Sequence, residues 1–523
     1  MSDTTWAPDR SMNRNIRHLA VGLMVAFFVL FAMLNYVQFF AADELNEHPL
    51  NTRGLVSDLD QPRGSIISAD GAVLADTESV EDGPFDFRRT YPSGDLFAHL
   101  TGHFGLVVES TGLERSWNAE LTGRDQGFDL DSISDFIGNE ASTRTLRLSI
   151  DAAVQTAARD ALGERRGSVV AIDPRDGRVL ALWSWPSYDP NRLADLESQA
   201  ALDAYEILDD DENQPLVGRA WRQRDFPGST FKIVTAAAGL ELGTVGLTEP
   251  VYPDTDSWTP PNTSRPVRNF GGSSCGGDLA DLIRRSCNTG FAEMAIEQIG
   301  PEQLVEVAES FGFNSAVPVD LPGAVESVFP TDYGDLRSEE GGPGSRWTDI
   351  PRLAQTSIGQ NDVAASPLQM ALVAAAVANE GDMMVPRVVA EVLDAEGEVV
   401  RQIEPEVWRR PVTPKSAGQL SEAMRGVVTD GTAKSVAIEG VTVGAKTGTA
   451  QLGTDPPRSH AWIMGFAGPS AEPDPTLAFA VLVEADPADP GITGGATAGP
   501  VARGLIEAVL ADQARDAVAD EAS

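Results

Sequence analysis

The chain places a serine and a lysine three residues apart at the head of an apolar run. The stretch reads Asp225-Phe226-Pro227-Gly228-Ser229-Thr230-Phe231-Lys232 and continues Ile233-Val234-Thr235-Ala236-Ala237-Ala238-Gly239-Leu240. A Pro-Gly turn followed by such a run predicts the start of a helix. Positions i and i+3 share a helix face, with Cβ atoms about 5–6 Å apart. The Ser229 hydroxyl and the Lys232 amine then come within hydrogen-bond reach where backbone N–H groups are free. Serine needs a base beside it to attack a carbonyl, so the two are a candidate nucleophile and base. Lysine is scarce: Lys232, Lys415, Lys434 and Lys446 are the only four, and the rest of the 39 basic residues are arginine. A guanidinium stays protonated, whereas a lysine amine can be tuned to act as a base.

Two more short motifs follow in chain order, Ser286-Cys287-Asn288 and Lys446-Thr447-Gly448-Thr449. Ser286 and Asn288 point the same way from an extended turn, one to relay a proton and one to hold a substrate amide. Lys446, on a strand edge, would supply a fixed positive charge. Thr447 and Thr449 offer hydroxyls to a substrate carboxylate, and Gly448 allows close approach to the backbone. A rival pattern, Gly272-Ser273-Ser274-Cys275-Gly276, fits the nucleophile elbow of α/β-hydrolases. No strand precedes it and only His460 lies downstream as a base, so it reads as surface loop. The five histidines have no metal-ligand spacing, and neither metal nor cofactor is expected.

These motifs need elements to hold them. A strand Leu146–Asp151 leads into a helix over 152–162 capped by Asp151. Residues 167–173 and 177–183 read as a hairpin. Residues 278–285, 291–299, 366–379, 416–428 and 500–510 read as helices. Residues 441–450, 461–466 and 477–483 read as three successive antiparallel strands. Residues 248–277 are rich in Pro, Gly and Ser and read as surface loop, as do residues 330–350.

At 523 residues the chain has room for two or three folded units. The net charge of −39 argues against a nucleic-acid partner, which needs a basic face. Residues 1–18 are polar and carry Arg10, Arg14 and Arg17, while Leu19–Ala42 holds no charge. About 20 apolar residues cross a bilayer as a helix, so this stretch reads as an uncleaved anchor. Arginines before it and Asp43, Glu44 and Glu47 after it place the N-terminus in the cytoplasm and the rest outside. In that compartment Cys275 and Cys287 are chemically permitted to bridge; closing the short loop would restrict the unfolded chain by roughly 3 kcal/mol. The expected division is a cytoplasmic segment 1–18, an anchor 19–42, a small region 43–145, a large domain 146–511 and a disordered tail 512–523.

The three motifs, in this order, resemble the penicillin-recognising serine acyltransferases. From residue 19 to about 510 the chain resembles a class B penicillin-binding protein, most closely of the actinobacterial penicillin-binding protein A type. Further matches are Ile358-Gly359-Gln360, Ser366-Pro367-Leu368-Gln369-Met370-Ala371, Gly431-Thr432-Ala433 and His460-Ala461-Trp462. Arg63-Gly64-Ser65-Ile66-Ile67 and Gly112-Leu113-Glu114-Arg115-Ser116-Trp117 resemble the family's motifs for a non-catalytic pedestal, although Ser68-Ala69 stands where a charged pair is frequent. The resemblance implies an α/β (α+β) transpeptidase fold, a five-stranded antiparallel sheet flanked by helices. It implies a D,D-transpeptidase without a glycosyltransferase domain, in which Ser229 forms an acyl-enzyme and Lys232, Ser286 and Lys446 assist. Asn288, Thr447, Gly448 and Thr449 would bind substrate, and the backbone N–H groups of Ser229 and Thr449 would hold the oxyanion. Peptidoglycan stem peptides, β-lactams, a membrane glycan polymerase and division or elongation proteins are the implied partners. A D,D-carboxypeptidase or β-lactamase-like hydrolase, and a non-catalytic cell-wall scaffold or β-lactam sensor, are the alternatives.

Overall fold

The computed structural model describes residues 10–39, 61–80, 85–123, 143–261, 263–334, 349–455, 457–472 and 474–522. The chain divides into two units, Met1–Gln61 and Pro62–Ser523. In the first, helix α1 (Arg10–Phe39) contains an apolar stretch, Ile16–Val37, with mean hydropathy 2.3. Its 22 residues span about 33 Å at 1.5 Å per residue, enough for a bilayer's hydrocarbon core. The end of the expected span, 40–42, lies outside the described residues.

The second unit is built on a five-stranded sheet of β1 (Gly167–Ile172), β2 (Val179–Trp185), β3 (Val441–Gln451), β4 (Ser459–Pro469) and β5 (Leu477–Val483). The order is β3-β4-β5-β1-β2 and every neighbouring pair is antiparallel. The predicted hairpin supplies β1 and β2, and the three successive strands supply β3 to β5. Every residue of β5, Leu-Ala-Phe-Ala-Val-Leu-Val, is buried. A run without alternation marks a strand covered on both faces. Helix α2 (Ala152–Leu162) packs on the sheet, capped by Asp151 Oδ1 accepting from Ala153 N at 2.7 Å. Helix α3 (Lys232–Leu242) is buried from Lys232 to Leu240, which explains its lack of a polar face. Helices α4 (Leu279–Arg285) and α5 (Asn288–Met294) follow one another across the Ser286-Cys287 turn, and α5 runs on as a π-turn to Ile299. Helix α6 (Pro367–Ala378) is equally apolar and lies against β5, β4 and β1. Its cap is Ser366 Oγ, accepting from Gln369 N at 3.2 Å. Helix α7 (Pro414–Asp430) packs on β3 and α4. Helix α8 (Gly499–Ala522) packs against α2.

Three expectations change. The closing helix does not stop at Leu510: α8 continues to Ala522 through the residues expected to form a disordered tail. No Gly or Pro interrupts residues 505–522, and Gln513 Oε1 accepts from Thr476 Oγ1 at 2.7 Å, tying the extension down. The stretch 248–277 is not plain loop. It contains two antiparallel pairs, Tyr252–Thr255 with Cys275–Gly277 and Ser257–Trp258 with Val267–Arg268. The expected boundary at 145/146 runs through a strand, Thr145–Leu148, which pairs with Ile66–Ile67 on one side and Val389–Leu393 on the other. The pedestal sheet thus has six strands and borrows two, Val389–Leu393 and Val399–Gln402, from more than 240 residues downstream.

The pedestal's two motifs meet on one buried carboxylate. Glu114 is fully buried and accepts from Arg63 Nε at 2.5 Å and Arg89 Nε at 2.7 Å. Burial pushes the Glu114 carboxyl up, but Arg89 and Arg63 together outweigh it and hold the group below its ordinary value.

Candidate active site

The turn Pro227-Gly228 delivers Ser229 in a 3₁₀ turn, Gly228–Phe231, directly ahead of α3. Gly228 N donates to Gly359 O at 3.0 Å. Gly359 has φ +71°, and a Cβ there would lie 2.2 Å from Gly228 O. Phe231 stacks on Phe329 at 5.2 Å and meets Phe313 edge-on at 5.3 Å, which locks the turn from below. The space at Gly448 is filled by the protein itself rather than left for substrate: a Cβ would meet Pro227 O at 2.8 Å and Thr230 Cγ2 at 3.1 Å. The glycine lets the serine turn rest on β3.

Lys232 is fully buried, and its Nζ donates to Ser286 O at 2.8 Å and Asn288 Oδ1 at 2.7 Å, with Ser286 Oγ at 3.4 Å. Its amine is therefore directed to the second motif, and among the described residues it makes no hydrogen bond to Ser229. Lys446 projects from β3, is also fully buried, and donates to Ser286 Oγ at 2.8 Å and Thr447 O at 2.9 Å. Ser286 sits between two amines.

The turn that carries Ser286 is not extended. Ser286 ends α4 at φ 59°, ψ 44°, the left-handed cap position that glycine usually takes. A serine there is strained by about 1–2 kcal/mol. In exchange, both its carbonyl and its hydroxyl face Lys232. Cys287 next to it is bridged to Cys275, with Cα atoms 5.8 Å apart.

Burial pushes the Lys232 amine well below its ordinary value, and the charge of Lys446 pushes it further. Burial alone lowers Lys446 to about 7. Among the described residues no carboxylate forms an ion pair with either amine. Burial therefore works against the fixed positive charge expected at Lys446, because a desolvated amine without an acidic partner holds its proton less tightly.

Ser229, Ser286, Asn288, Thr447 and Thr449 line one cleft of about 920 Å³. Thr447 Oγ1 lies 2.6 Å from Thr432 Oγ1, which orients it. Sequence reasoning missed Asn269. This buried side chain accepts at Oδ1 from Asn288 N (2.8 Å) and Thr289 N (3.1 Å), and donates from Nδ2 to Thr255 O (2.8 Å). It satisfies free N–H groups at the start of α5 and so fixes Asn288. Nothing in the Pro/Gly/Ser-rich stretch around it signals that role.

Comparison with known proteins places the chain in a family. Residues 167–507 match the penicillin binding protein transpeptidase domain, and residues 63–144 match the penicillin binding protein A dimerisation domain. The peptidoglycan D,D-transpeptidase PbpA of Mycolicibacterium smegmatis is 38% identical over 517 residues, covering 95% of this chain and 99% of that protein. The PbpA of Mycobacterium tuberculosis is 35% identical over 512 residues, covering 95% of this chain and 99% of that protein. The structure of penicillin-binding protein A from M. tuberculosis as a ceftriaxone acyl-enzyme complex superposes with a TM-score of 0.76 at 34% identity, covering 87% of this chain and 99% of that one. With the serine turn, the paired lysines and both domains accounted for, the chain belongs to the penicillin-binding protein transpeptidases that carry a penicillin-binding protein A dimerisation domain.

Proposed function

We propose that this chain is a membrane-anchored serine D,D-transpeptidase that cross-links peptidoglycan stem peptides and is acylated by β-lactams at Ser229. The observation that carries this reading is the convergence of two buried lysine amines on Ser286, beside the serine turn and with no carboxylate among the described residues to hold their protons. Lys232 in its neutral form takes the Ser229 proton as Oγ attacks the penultimate D-Ala carbonyl. The backbone N–H groups of Ser229 and Thr449 hold the oxyanion; such a donor is worth about 2.7–4 kcal/mol in the transition state. The peptide C–N bond breaks, and the leaving D-Ala amine receives its proton through Ser286. An amine of a neighbouring stem then attacks the ester, its proton returns by the same route, and Ser229 is freed. Asn288 holds the donor's amide, and Thr447 and Thr449 hold its terminal carboxylate. A β-lactam follows the first half and stalls as the ester.

Helix α1 is the anchor, with its N-terminus in the cytoplasm and the catalytic unit outside. There the enzyme works beside a membrane glycan polymerase and division or elongation proteins. The test is peptide mass spectrometry of the detergent-solubilised full chain after benzylpenicillin treatment. An adduct on Ser229, absent in Ser229→Ala, is expected. An adduct on another residue, or none, overturns the reading. The same non-reduced digest reports the Cys275–Cys287 bridge.

A further inference from the structure

The charge balance of the chain reverses at the cleft. The sequence holds 78 acidic and 39 basic residues. Among the described residues the cleft around Ser229 is lined by Arg268, Arg285 and Lys434 and by no Asp or Glu. Cations on the walls of a low-dielectric cleft concentrate anions inside it.

The three cations differ in what already occupies them. Lys434 Nζ lies 3.1 Å from Asp430. Arg285 donates to Ser274 O at 2.7 Å, with Asp254 3.8 Å away. The guanidinium of Arg268 has no hydrogen bond or ion pair among the described residues, and the residue is exposed. Its backbone, by contrast, is held from two sides. Val267–Arg268 pairs with Ser257–Trp258, and Arg268 O accepts from Asn288 Nδ2 at 2.9 Å. An arginine anchored to the residue that holds the donor's amide, with its side chain unspent, is set to receive a carboxylate. Its planar fork fits one bidentately.

We propose that Arg268 is a specificity residue that binds a second carboxylate of the donor stem peptide, upstream of the scissile bond, with Arg285 adding to the field. This rests on the transpeptidase reading above. In that reading the terminal carboxylate sits at Thr447 and Thr449 on β3. Arg268 stands with Asn288, on the acyl side, so it meets a different carboxylate.

The experiment uses the full chain in detergent and two synthetic thioester donors. Both keep the leaving group's carboxylate; the upstream carboxylate is free in one and amidated in the other. The native enzyme is expected to favour the free acid by about three- to tenfold in kcat/KM, and less at high salt. In Arg268→Gln the ratio falls to near one, and in Arg268→Glu it inverts. A native ratio near one, a ratio unchanged in Arg268→Gln, or an equal fall with both donors overturns the proposal. Penicillin labelling of the same samples separates the two levels. Labelling at Ser229 with no donor preference removes Arg268's role alone, whereas no labelling and no turnover removes the transpeptidase reading with it.

Discussion

Two groups of charged side chains are buried in this molecule, and they resolve burial in opposite ways. In the pedestal, Glu114 lies between Arg63 and Arg89, so opposite charges compensate one another and the carboxylate stays ionised. In the catalytic domain, Lys232 and Lys446 share Ser286 with no acidic partner among the described residues, so burial lowers both amines and the charge of Lys446 lowers Lys232 further. The first arrangement fixes a shape. The second leaves two amines pushed below their ordinary value. An ion-paired lysine would be as well packed but useless for proton transfer, because its partner would hold the pKa up.

Lys232→Arg breaks the catalytic side most severely. The guanidinium keeps the charge but cannot release the proton, so acylation by benzylpenicillin, followed by stopped-flow or labelling, is expected to fall by about 10²–10⁴-fold. Normal labelling would remove Lys232 as base. Glu114→Gln is the matching break in the pedestal. It leaves two buried guanidinium groups uncompensated and is expected to lower stability by about 3–5 kcal/mol in denaturant unfolding. Acylation per folded molecule should be retained, and a selective loss of acylation would show that the pedestal reaches the site.

Asn269→Ala tests the missed support. Two N–H groups at the start of α5 lose their acceptor, at a cost of about 1–3 kcal/mol, and acylation should drop with it because Asn288 is freed. Unchanged acylation would make Asn269 purely structural.

The pH dependence separates the two clusters most finely. Acylation should rise with pH as Lys232, pushed well below its ordinary value by burial and by Lys446, gives up its proton. In Lys446→Gln the residual activity should need higher pH, because Lys232 loses the neighbouring charge that lowers it. A limb that stays in place would mean the lysines do not interact. Stability follows the same logic with opposite windows. Lys446 is lowered in the folded state, so the unfolded chain binds more protons between about 7 and the ordinary lysine value, and stability rises with pH across that range. Glu114 is also lowered, so its contribution is present above the ordinary carboxylate value and is lost as pH falls through the folded one. Glu114→Gln should flatten the acid limb of unfolding and leave the alkaline one alone.

The sequence by itself determined the chemistry and the local elements. The motifs whose side chains the structure brings together, with Ser229, Lys232, Ser286, Asn288 and Lys446, stand out in the sequence because their residue types recur at short spacing. β5 and α6 were legible because an unbroken apolar run says that an element is covered. Tertiary structure decided what those residues do to one another. Lys446 lies 160 residues from Ser286 and meets its hydroxyl only because β3 forms the edge of the sheet beside α4. Glu114 meets Arg63 across 51 residues, and the pedestal sheet closes with strands from beyond residue 388. No local pattern encodes such pairings. Protonation follows from them, because an amine's pKa depends on how much water and which charges surround it. A lysine in a sequence is a cation by default, and only the packed interior pushes the Lys232 amine well below its ordinary value.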